Sequence, residues 1–208
     1  MKIFSIEGNI GSGKSTLLNY LNDSKIKFVY LQEPVNEWNE IQDSAGVTIL
    51  EKYYQNQSRY SFSFQMMAYI TRLSSIRKAI RESGPDTIII TERSLYTDRE
   101  IFAKMLYDAG HIEQIEYTIY LKWFNEFLHD INLAGIIYVK TLPTTCTKRI
   151  KERNRKGESS ISLKYLEECH NYHEIWLKDT KIPLLCLDGE REQSLDWVQQ
   201  IETFVKFN

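Results

Sequence analysis

The chain has 208 residues, with 26 lysines and arginines against 28 aspartates and glutamates, and a formal net charge of −2. This near balance argues against a dedicated binder of nucleic acid or anionic membranes, because such surfaces need a large basic excess. The length suits one α/β domain with a full core. The cysteines Cys146, Cys169 and Cys186 are dispersed without a C-x-x-C pair, which indicates a reducing compartment and no structural zinc.

The first predicted strand lies directly at the N-terminus, which leaves no room for a signal or transit peptide. No apolar run approaches the length needed to span a bilayer. These features predict a soluble protein of the cytoplasm with no membrane partner.

A phosphate-binding loop is predicted between the apolar run 3–6 and the helical pattern 16–21. The sequence there fits G-x-x-x-x-G-K-[ST] at every fixed position: Gly8-Asn9-Ile10-Gly11-Ser12-Gly13-Lys14-Ser15, followed by Thr16. Glycines let backbone N–H groups point at an anion, and the following helix adds the positive end of its dipole. Lys14 would follow a transferring phosphoryl group, and Ser15 would bind magnesium. The alternative, a Gly-rich turn with a chance Lys-Ser, leaves this strand and helix context unexplained.

Short apolar runs alternate with longer helical patterns along the whole chain. The predicted strands lie near 2–6, 27–31, 87–91, 136–140 and 183–187. This alternation is typical of a parallel sheet with helices on both faces. With no linker, repeat or low-complexity segment, residues 1–208 are predicted to form a single domain.

Charged residues follow two more of these strands directly. Gln32-Glu33-Pro34 comes after the second strand, and Glu92-Arg93-Ser94 comes after the third. Strand ends in a parallel sheet share one edge, and ligands bind in the crevice outside that edge. Two carboxylates and an arginine are therefore expected to face the same space as the nucleotide phosphates.

The helical region from about 58 to 83 carries two lines of residues. One is an apolar packing stripe of Phe62, Met66, Tyr69, Leu73, Ile76 and Ile80. The other, about 100° around the helix, is Ser61, Gln65, Ala68 and Arg72. The pattern alone favours a solvent-facing role for this second line. A later helix near 113–130 also has a broad apolar face, so the two helices could form a subunit interface as well as a core.

Basic residues crowd into one segment near the C-terminal side: Arg149, Lys151, Arg153, Arg155 and Lys156, ending at Gly157-Glu158. The simplest interpretation is a solvated helix end with cations at the negative dipole terminus. A phosphate loop in the same chain favours a mobile lid instead, because phosphoryl transfer needs arginines near the equatorial oxygens. His170 and His173 lie three apart on the next helix, but no patterned partner supports a metal site.

Glu33 and Trp38 together indicate which kind of acceptor the reaction uses. A carboxylate aimed at the phosphate site can accept the proton of an alcohol, and an indole can stack on a planar ring. This indicates an acceptor that is a small alcohol carrying a base. The alternative is a strand-end salt bridge for Glu33 and a core position for Trp38.

The chain resembles the cellular-type deoxynucleoside kinases, a family that includes deoxycytidine and deoxyguanosine kinases. The similarity extends beyond the phosphate loop through most of the chain, in family order and spacing. It covers Glu33-Pro34-Val35 with Trp38, Phe62-Ser63-Phe64-Gln65, Glu92-Arg93-Ser94 with Tyr96, Asp98-Arg99, Ile101-Phe102-Ala103, Arg149 to Glu158, Tyr165-Leu166-Glu167 and Trp176-Leu177.

The resemblance implies a P-loop kinase fold with an arginine-rich lid and a salvage enzyme that uses Mg²⁺ and ATP, or another nucleoside triphosphate. Glu33 would be the general base for the 5′-hydroxyl, which Arg93 would hold together with the transferring phosphate. Gln65, Trp38, Phe64 and Phe102 would recognise the base, and Tyr54 and Glu158 would bind the sugar. Arg149, Arg153 and Arg155 would form the lid over the phosphates. Glu92 would bind magnesium directly or through water, and the loop that begins at Asp188 would contact the adenine of the donor.

The resemblance also bears on base choice and assembly. An Arg–Asp pair at the positions of Arg72 and Asp98 accompanies a preference for deoxycytidine and deoxypurines over thymidine in this family. Tyr53 departs from the family pattern, since several relatives carry a smaller or more flexible residue beside the sugar and base. Family members suggest a homodimer through long helices. A nucleoside monophosphate kinase of the thymidylate type and a non-catalytic nucleotide-binding subunit remain the alternative interpretations.

Overall fold

The computed structural model describes residues 1–23, 28–128, 131–155, 157–191 and 195–208. Three predictions extend beyond these ranges. The predicted second strand began at residue 27, the helix near 113–130 reached residue 130, and the basic segment included Lys156. These positions lie outside the described residues.

The five strands form one parallel sheet, as predicted. Its order is β2-β3-β1-β4-β5. The strands are β1 Lys2–Glu7, β2 Val29–Leu31, β3 Ile88–Glu92, β4 Leu133–Lys140 and β5 Leu184–Asp188. The edge strand β2 has three residues and, within the described part of the chain, pairs with β3 alone, whereas β4 is paired on both sides and begins earlier than predicted. The central position of β1 places the loop that follows it in the middle of the sheet's carboxyl edge.

Helices connect the strands and cover both faces of the sheet. The α-helices are α1 Lys14–Asp23, α2 Val35–Glu40, α3 Ile49–Gln55, α4 Gln57–Glu82, α5 Leu95–Thr97, α6 Lys104–Asp108, α7 Gln114–Phe127, α8 Pro143–Arg153, α9 Leu163–Asp179 and α10 Leu195–Phe207. A π-helical turn, Asp98–Ala103, joins α5 to α6, and a 3₁₀ turn, Glu158–Ser160, precedes α9.

Alternating side chains of β1 divide the core into two layers. Phe4 and Ile6 point to one face, where they pack in a cluster with residues of α1 and α10. Ile3 points to the other face and packs in a cluster with residues of α4 and α7. Because successive strand residues point to opposite faces, both faces of the sheet need helical cover, which they have.

Helix α4 is buried on more than its packing stripe. The stripe predicted from the sequence does pack on the sheet, with Tyr69, Leu73 and Ile76 fully buried. The second line, Ser61, Gln65, Ala68 and Arg72, is buried too, so the solvent-facing role favoured by the pattern alone is wrong. The reason is tertiary: α2 and α3 cover this side of α4, and Gln65 and Arg72 line a cavity instead of facing bulk water.

Among the described residues, no helix is both long enough and apolar enough to cross a bilayer.

Candidate active site

The loop between β1 and α1 is shaped for close approach of an anion. Gly8 has φ +145°, and a Cβ there would lie 2.6 Å from the carbonyl oxygen of Val139. Gly11 has φ +77°, and a Cβ there would lie 2.8 Å from the carbonyl oxygen of Cys146. A side chain at either position would clash with backbone, so both glycines are required for this loop conformation.

Lys14 is held inside the loop and is almost fully buried. Its Nζ donates to the carbonyl oxygen of Asn9 at 2.7 Å. Burial, with the neighbouring Arg93 guanidinium as the next cause, lowers the pKa of Lys14 from 10.5 to about 8. A phosphate beside Nζ would stabilise the ammonium form, so the site favours an anionic ligand.

Ser15 and Glu92 meet at the start of α1 and the end of β3. The Ser15 hydroxyl donates to Oε1 of Glu92 at 2.7 Å. Parallel pairing of β1 with β3 brings the two residues near each other, because Glu92 lies in register with Ile6, two residues before the loop begins at Gly8. Hydroxyl and carboxylate oxygens are ligands that Mg²⁺ accepts beside nucleotide phosphates, so the residues present fit that ion.

Arg93 adopts a left-handed backbone conformation directly after β3, with φ 62°. Such a conformation is uncommon for residues other than glycine and concentrates at functional sites. Its guanidinium donates through Nη1 to the carbonyl oxygen of Gly8 at 2.9 Å and lies 4.9 Å from the ring centroid of Phe102. The conformation therefore places a buried cation between the phosphate loop and an aromatic ring.

Glu33 contacts two buried arginines, Arg72 and Arg93. Its Oε1 lies 3.0 Å from Nη2 of Arg72 and 3.2 Å from Nε of Arg93. Burial raises the pKa of Glu33, but Arg93, Arg72 and Lys14 together outweigh burial and lower the pKa to about 2. The carboxylate is therefore ionised throughout the physiological pH range, with 18 % of its side chain still exposed to the cavity.

Arg72 and Asp98 form a two-point ion pair below Glu33. The Arg72 Nε donates to Oδ2 of Asp98 at 2.9 Å, and Nη2 lies 3.3 Å from Oδ1. Nη1 donates to the backbone carbonyl of Glu92 at 2.8 Å. Both side chains are only 2 % exposed, so the guanidinium is fixed in a single orientation.

An aromatic wall closes the end of the cavity away from the phosphate loop. The rings of Tyr53 and Phe64 stack with centroids 4.5 Å apart, 12° from parallel. Trp38 meets Phe64 edge-on at 5.4 Å, and its Nε1 donates to Thr71. Gln65 is 1 % exposed, and its Oε1 has no hydrogen-bond partner in the described part of the chain, although the residue lines the cavity. A buried amide oxygen without a partner is costly, which indicates a ligand contact at this point.

One cavity of about 600 Å³ joins the phosphate loop to this wall. Its volume and its mixture of aromatic and charged residues are typical of a small-molecule site. The sequence model of the deoxynucleoside kinase family matches residues 4–206.

The chain belongs to the deoxynucleoside kinase family.

Curated relatives agree with this family. A fowlpox virus (strain NVSL) protein named "Probable deoxycytidine kinase" is 40 % identical over 91 % of this chain and 79 % of its own length. Human deoxycytidine kinase is 34 % identical, covering 100 % of this chain and 91 % of its own. The mitochondrial deoxyguanosine kinase of Xenopus laevis is 34 % identical over 92 % and 83 %. The chain is thus an enzyme that phosphorylates deoxynucleosides, a reaction of nucleotide salvage.

Most residues predicted for the site lie around this one cavity of the kinase. Those that line it are Ile10, Gly11, Gly13, Lys14, Ser15, Thr16, Glu33, Trp38, Tyr54, Phe64, Gln65, Arg72, Glu92, Arg93, Asp98, Phe102, Arg149, Arg153, Arg155 and Glu158. Gly8, Asn9 and Ser12 belong to the loop backbone without lining the cavity. Asp188 is also absent from the lining: it lies at the end of β5, where its Oδ2 pairs with Arg191 at 3.0 Å.

The lid segment predicted from the sequence, residues 149–158, begins within helix α8. Helix α8 ends at Arg153, and the next residue, Asn154, has the left-handed conformation of a helix C-terminus, with φ 48°. Arg153 and Arg155 both contact the Glu158 carboxylate, at 2.6 and 3.2 Å. Arg149 reaches the carbonyl oxygens of Ser12 and Gly189. Arg149 therefore lies against the phosphate loop, whereas Arg153 and Arg155, in the part of the chain that the structure describes, line the same cavity without a hydrogen bond to the loop.

Several residues that line the cavity of the kinase were not predicted from the sequence to have a role in the site, among them Tyr165, Asn36, Gln32 and Asn19. Tyr165 lies on α9, and its hydroxyl is 2.8 Å from that of Tyr53. The only sequence signal for it was its place in the family motif with Leu166 and Glu167. A tyrosine near a helix start is common, so the pattern alone could not single it out.

Proposed function

We propose that this enzyme transfers the γ-phosphoryl group of ATP, as its magnesium complex, to the 5′-hydroxyl of deoxycytidine or a deoxypurine nucleoside, with thymidine disfavoured. The observation that supports this proposal most strongly is that the phosphate loop, the ionised Glu33 and the aromatic wall all line the same cavity. Such a cavity can hold a phosphate donor at one end and a planar base at the other. Relatives named deoxycytidine and deoxyguanosine kinases support the choice of bases.

The donor half of the cavity would hold the triphosphate. Backbone N–H groups of the glycine loop and Lys14 would contact the phosphates, and Arg149, Arg153 and Arg155 would close over them. Ser15 and Glu92 would hold Mg²⁺, which neutralises developing charge on the phosphate oxygens. In the structure Arg153 and Arg155 contact Glu158, so phosphate binding would exchange one anionic partner for another.

The acceptor hydroxyl would lie between Glu33 and Arg93. Phosphoryl transfer has a loose transition state in which the attacking oxygen loses its proton late. A carboxylate with a pKa of about 2 is a weak base towards a free alcohol, but it is always ionised and can orient the hydroxyl and accept the proton at that late stage. Arg93, held by Gly8 and Glu33, would stabilise the transferring group.

The base would lie against the aromatic wall with its edge towards Gln65 and the Arg72–Asp98 pair. The unpartnered Oε1 of Gln65 suits an N–H donor on the base, such as the exocyclic amino group of cytosine or adenine. Arg72 is fixed by bonds to Asp98, Glu33 and the Glu92 backbone and cannot swing aside for a 5-methyl group without losing them.

Substrate preference provides the test of this proposal. We expect kcat/KM for deoxycytidine or a deoxypurine nucleoside to exceed that for thymidine by about tenfold or more, because a 5-methyl group crowded against the fixed Arg72 would cost about 1–3 kcal/mol. The measurement is steady-state kinetics with magnesium–ATP and the four deoxynucleosides. A thymidine value above all the others would refute the proposed base preference.

We also propose that the enzyme is a homodimer through α4 and α7. Helix α7 exposes an apolar line at four-residue steps, Ile115, Ile119 and Trp123, which are 67 %, 41 % and 45 % exposed. Ile70 on the neighbouring α4 is also exposed, at 46 %. Large apolar residues that share one face mark an interaction surface, and two-fold pairing of such a face is the commonest oligomer arrangement.

Light scattering after gel filtration tests the dimer. We expect a mass near twice the 24.6 kDa of the chain. Trp123→Glu should reduce it to a single chain, because a charge would be buried at the centre of the interface. Ile175→Glu, which alters a more exposed apolar residue on α9, should leave the dimer intact. A wild-type mass of one chain, or equal effects of both substitutions, would contradict the proposal.

A further inference from the structure

Tyr53 belongs to the aromatic wall and lines the cavity next to Phe64. Its side chain is 1 % exposed, and its ring covers one face of Phe64 at a centroid distance of 4.5 Å. Phe64 in turn meets Trp38. The position of Phe64 in the wall therefore depends on where Tyr53 lies, since a ring stacked at this distance leaves no space for the other to shift.

Two hydrogen bonds reach the hydroxyl of Tyr53, a long one donated by Gln57 at 3.5 Å and a short one shared with Tyr165. The Tyr53 hydroxyl lies 2.8 Å from the hydroxyl of Tyr165, which belongs to the first turn of α9. Burial raises the pKa of both phenols, so each hydroxyl keeps its proton and remains able to donate at neutral pH. The contact spans 112 positions of the chain and joins α3 to α9.

The start of α9 is close to the lid segment. Ser162 caps the helix by accepting from the backbone N–H of Tyr165 at 3.1 Å, and Glu158 lies in the 3₁₀ turn just before it. Tyr54, the neighbour of Tyr53, meets the ring of Tyr165 edge-on at 6.3 Å. The two residues predicted to hold the sugar, Tyr54 and Glu158, therefore flank the Tyr53–Tyr165 contact.

We propose that Tyr53 and Tyr165 are positioning residues of the nucleoside site: their shared hydrogen bond holds the aromatic wall against the start of α9 and sets the width of the nucleoside half of the cavity. Neither hydroxyl needs to touch the substrate for this role. The inference rests on the proposed function in one respect, that the nucleoside occupies this half of the cavity while the triphosphate occupies the other.

Three variants test the proposal: Tyr53→Phe, Tyr165→Phe and the double variant. Each substitution removes one hydroxyl and keeps the ring. Tyr172→Phe is the matched control, because Tyr172 lies two turns further along the same helix α9 and its hydroxyl bonds to Asp108 outside the cavity. The measurements are KM and kcat for the nucleoside, KM for ATP, and thermal unfolding. The nucleoside is whichever of the four the wild type phosphorylates best, so an error in the predicted base preference does not affect the test.

We expect either single variant to raise the nucleoside KM about five- to tenfold, the usual cost of leaving one buried hydroxyl without its partner. KM for ATP should stay unchanged and kcat within about twofold. The double variant should be no worse than the worse single variant, because both act through one bond. Tyr172→Phe should leave all three constants unchanged.

Two results would overturn the proposal. One is a lowered melting temperature with an unchanged nucleoside KM in the single variants, which would make the contact an ordinary core hydrogen bond. The other is a double variant whose KM rises by the product of the two single effects, which would show that the hydroxyls act independently.

Discussion

Lys14→Met is expected to abolish most phosphoryl transfer and at the same time to stabilise the unliganded protein at pH 7. Methionine keeps the length of the side chain without its charge. Activity should fall about a hundred- to a thousandfold, since one preorganised electrostatic contact to the transferring group is lost. Stability should rise because the lysine is buried at a cost: its pKa falls from 10.5 to about 8, through burial first and the neighbouring Arg93 second.

The sign of this effect follows from proton linkage. Between about pH 8 and 10.5 the unfolded chain binds a proton on Lys14 that the folded protein does not, so wild-type stability rises with pH in this window. A shift of this size corresponds to about 3 kcal/mol. The variant should therefore exceed the wild type by up to about that amount at pH 7 and lose the advantage as the pH approaches 10.5.

Urea unfolding at several pH values, without nucleotide, measures the difference. Lys164→Met is the control, because Lys164 is 84 % exposed and its removal changes the net charge equally. A Lys14→Met protein that is less stable than the wild type at pH 7 would contradict the assignment of Lys14 as a buried, strained cation.

Glu33→Gln is expected to lower kcat by about a hundredfold or more with little change in nucleoside KM. Glutamine keeps the shape of the side chain and an oxygen acceptor for the arginines but cannot take the proton of the hydroxyl. Glu37→Gln is the control, since Glu37 lies four residues further on, in α2, and is exposed to solvent. An unchanged kcat in the Glu33 variant would remove the assignment of Glu33 as the base.

The dependence of kcat/KM on pH provides a second test of the state of Glu33. Its carboxylate stays ionised until the pH falls towards about 2, because Arg93, Arg72 and Lys14 outweigh the effect of burial. Wild-type kcat/KM should therefore show no loss from protonation of Glu33 between pH 7 and 5. If kcat/KM of the wild type falls between pH 7 and 5 and this fall is absent from Glu37→Gln, the titrating group is Glu37 and not Glu33. If the fall disappears only in Glu33→Gln, the low pKa of Glu33 is contradicted.

Several features of the fold could be predicted from local sequence. The glycine loop with Lys14 and the apolar runs of the sheet each carry their signal within a few residues, and all five predicted strands are present and parallel. Strand ends share one sheet edge by geometry, which is why Glu33 and Arg93 could be expected beside the loop before their 3.2 Å contact was known.

Other features depend on contacts between distant segments and could not be predicted. The second line of α4 was favoured as solvent-facing because nothing in its own sequence shows that α2 and α3 cover it. The two arginines that lower the pKa of Glu33 come from α4 and from the end of β3, so the strength of that effect is invisible in any one segment. The contact of Tyr53 with Tyr165 likewise joins positions 112 residues apart.

Asp188 shows the limit of an expectation based on resemblance. The family places this loop near the donor adenine, and Arg149 does reach the carbonyl oxygen of the adjacent Gly189 at 2.9 Å. The Asp188 carboxylate itself turns to Arg191 and accepts from the backbone N–H of Glu190, away from the cavity. Its role in binding the donor therefore stays a prediction.

The most direct test of the central claim is the identity of the acceptor. The enzyme should be given magnesium–ATP with each of the four deoxynucleosides and, separately, with each of their 5′-monophosphates. In the proposed arrangement the acceptor lies against the anionic Glu33, which would repel an acceptor phosphate. We therefore expect 5′-monophosphates to form from the nucleosides and no diphosphates to form from the monophosphates. Phosphorylation of a monophosphate such as dTMP, without phosphorylation of any nucleoside, would contradict the account.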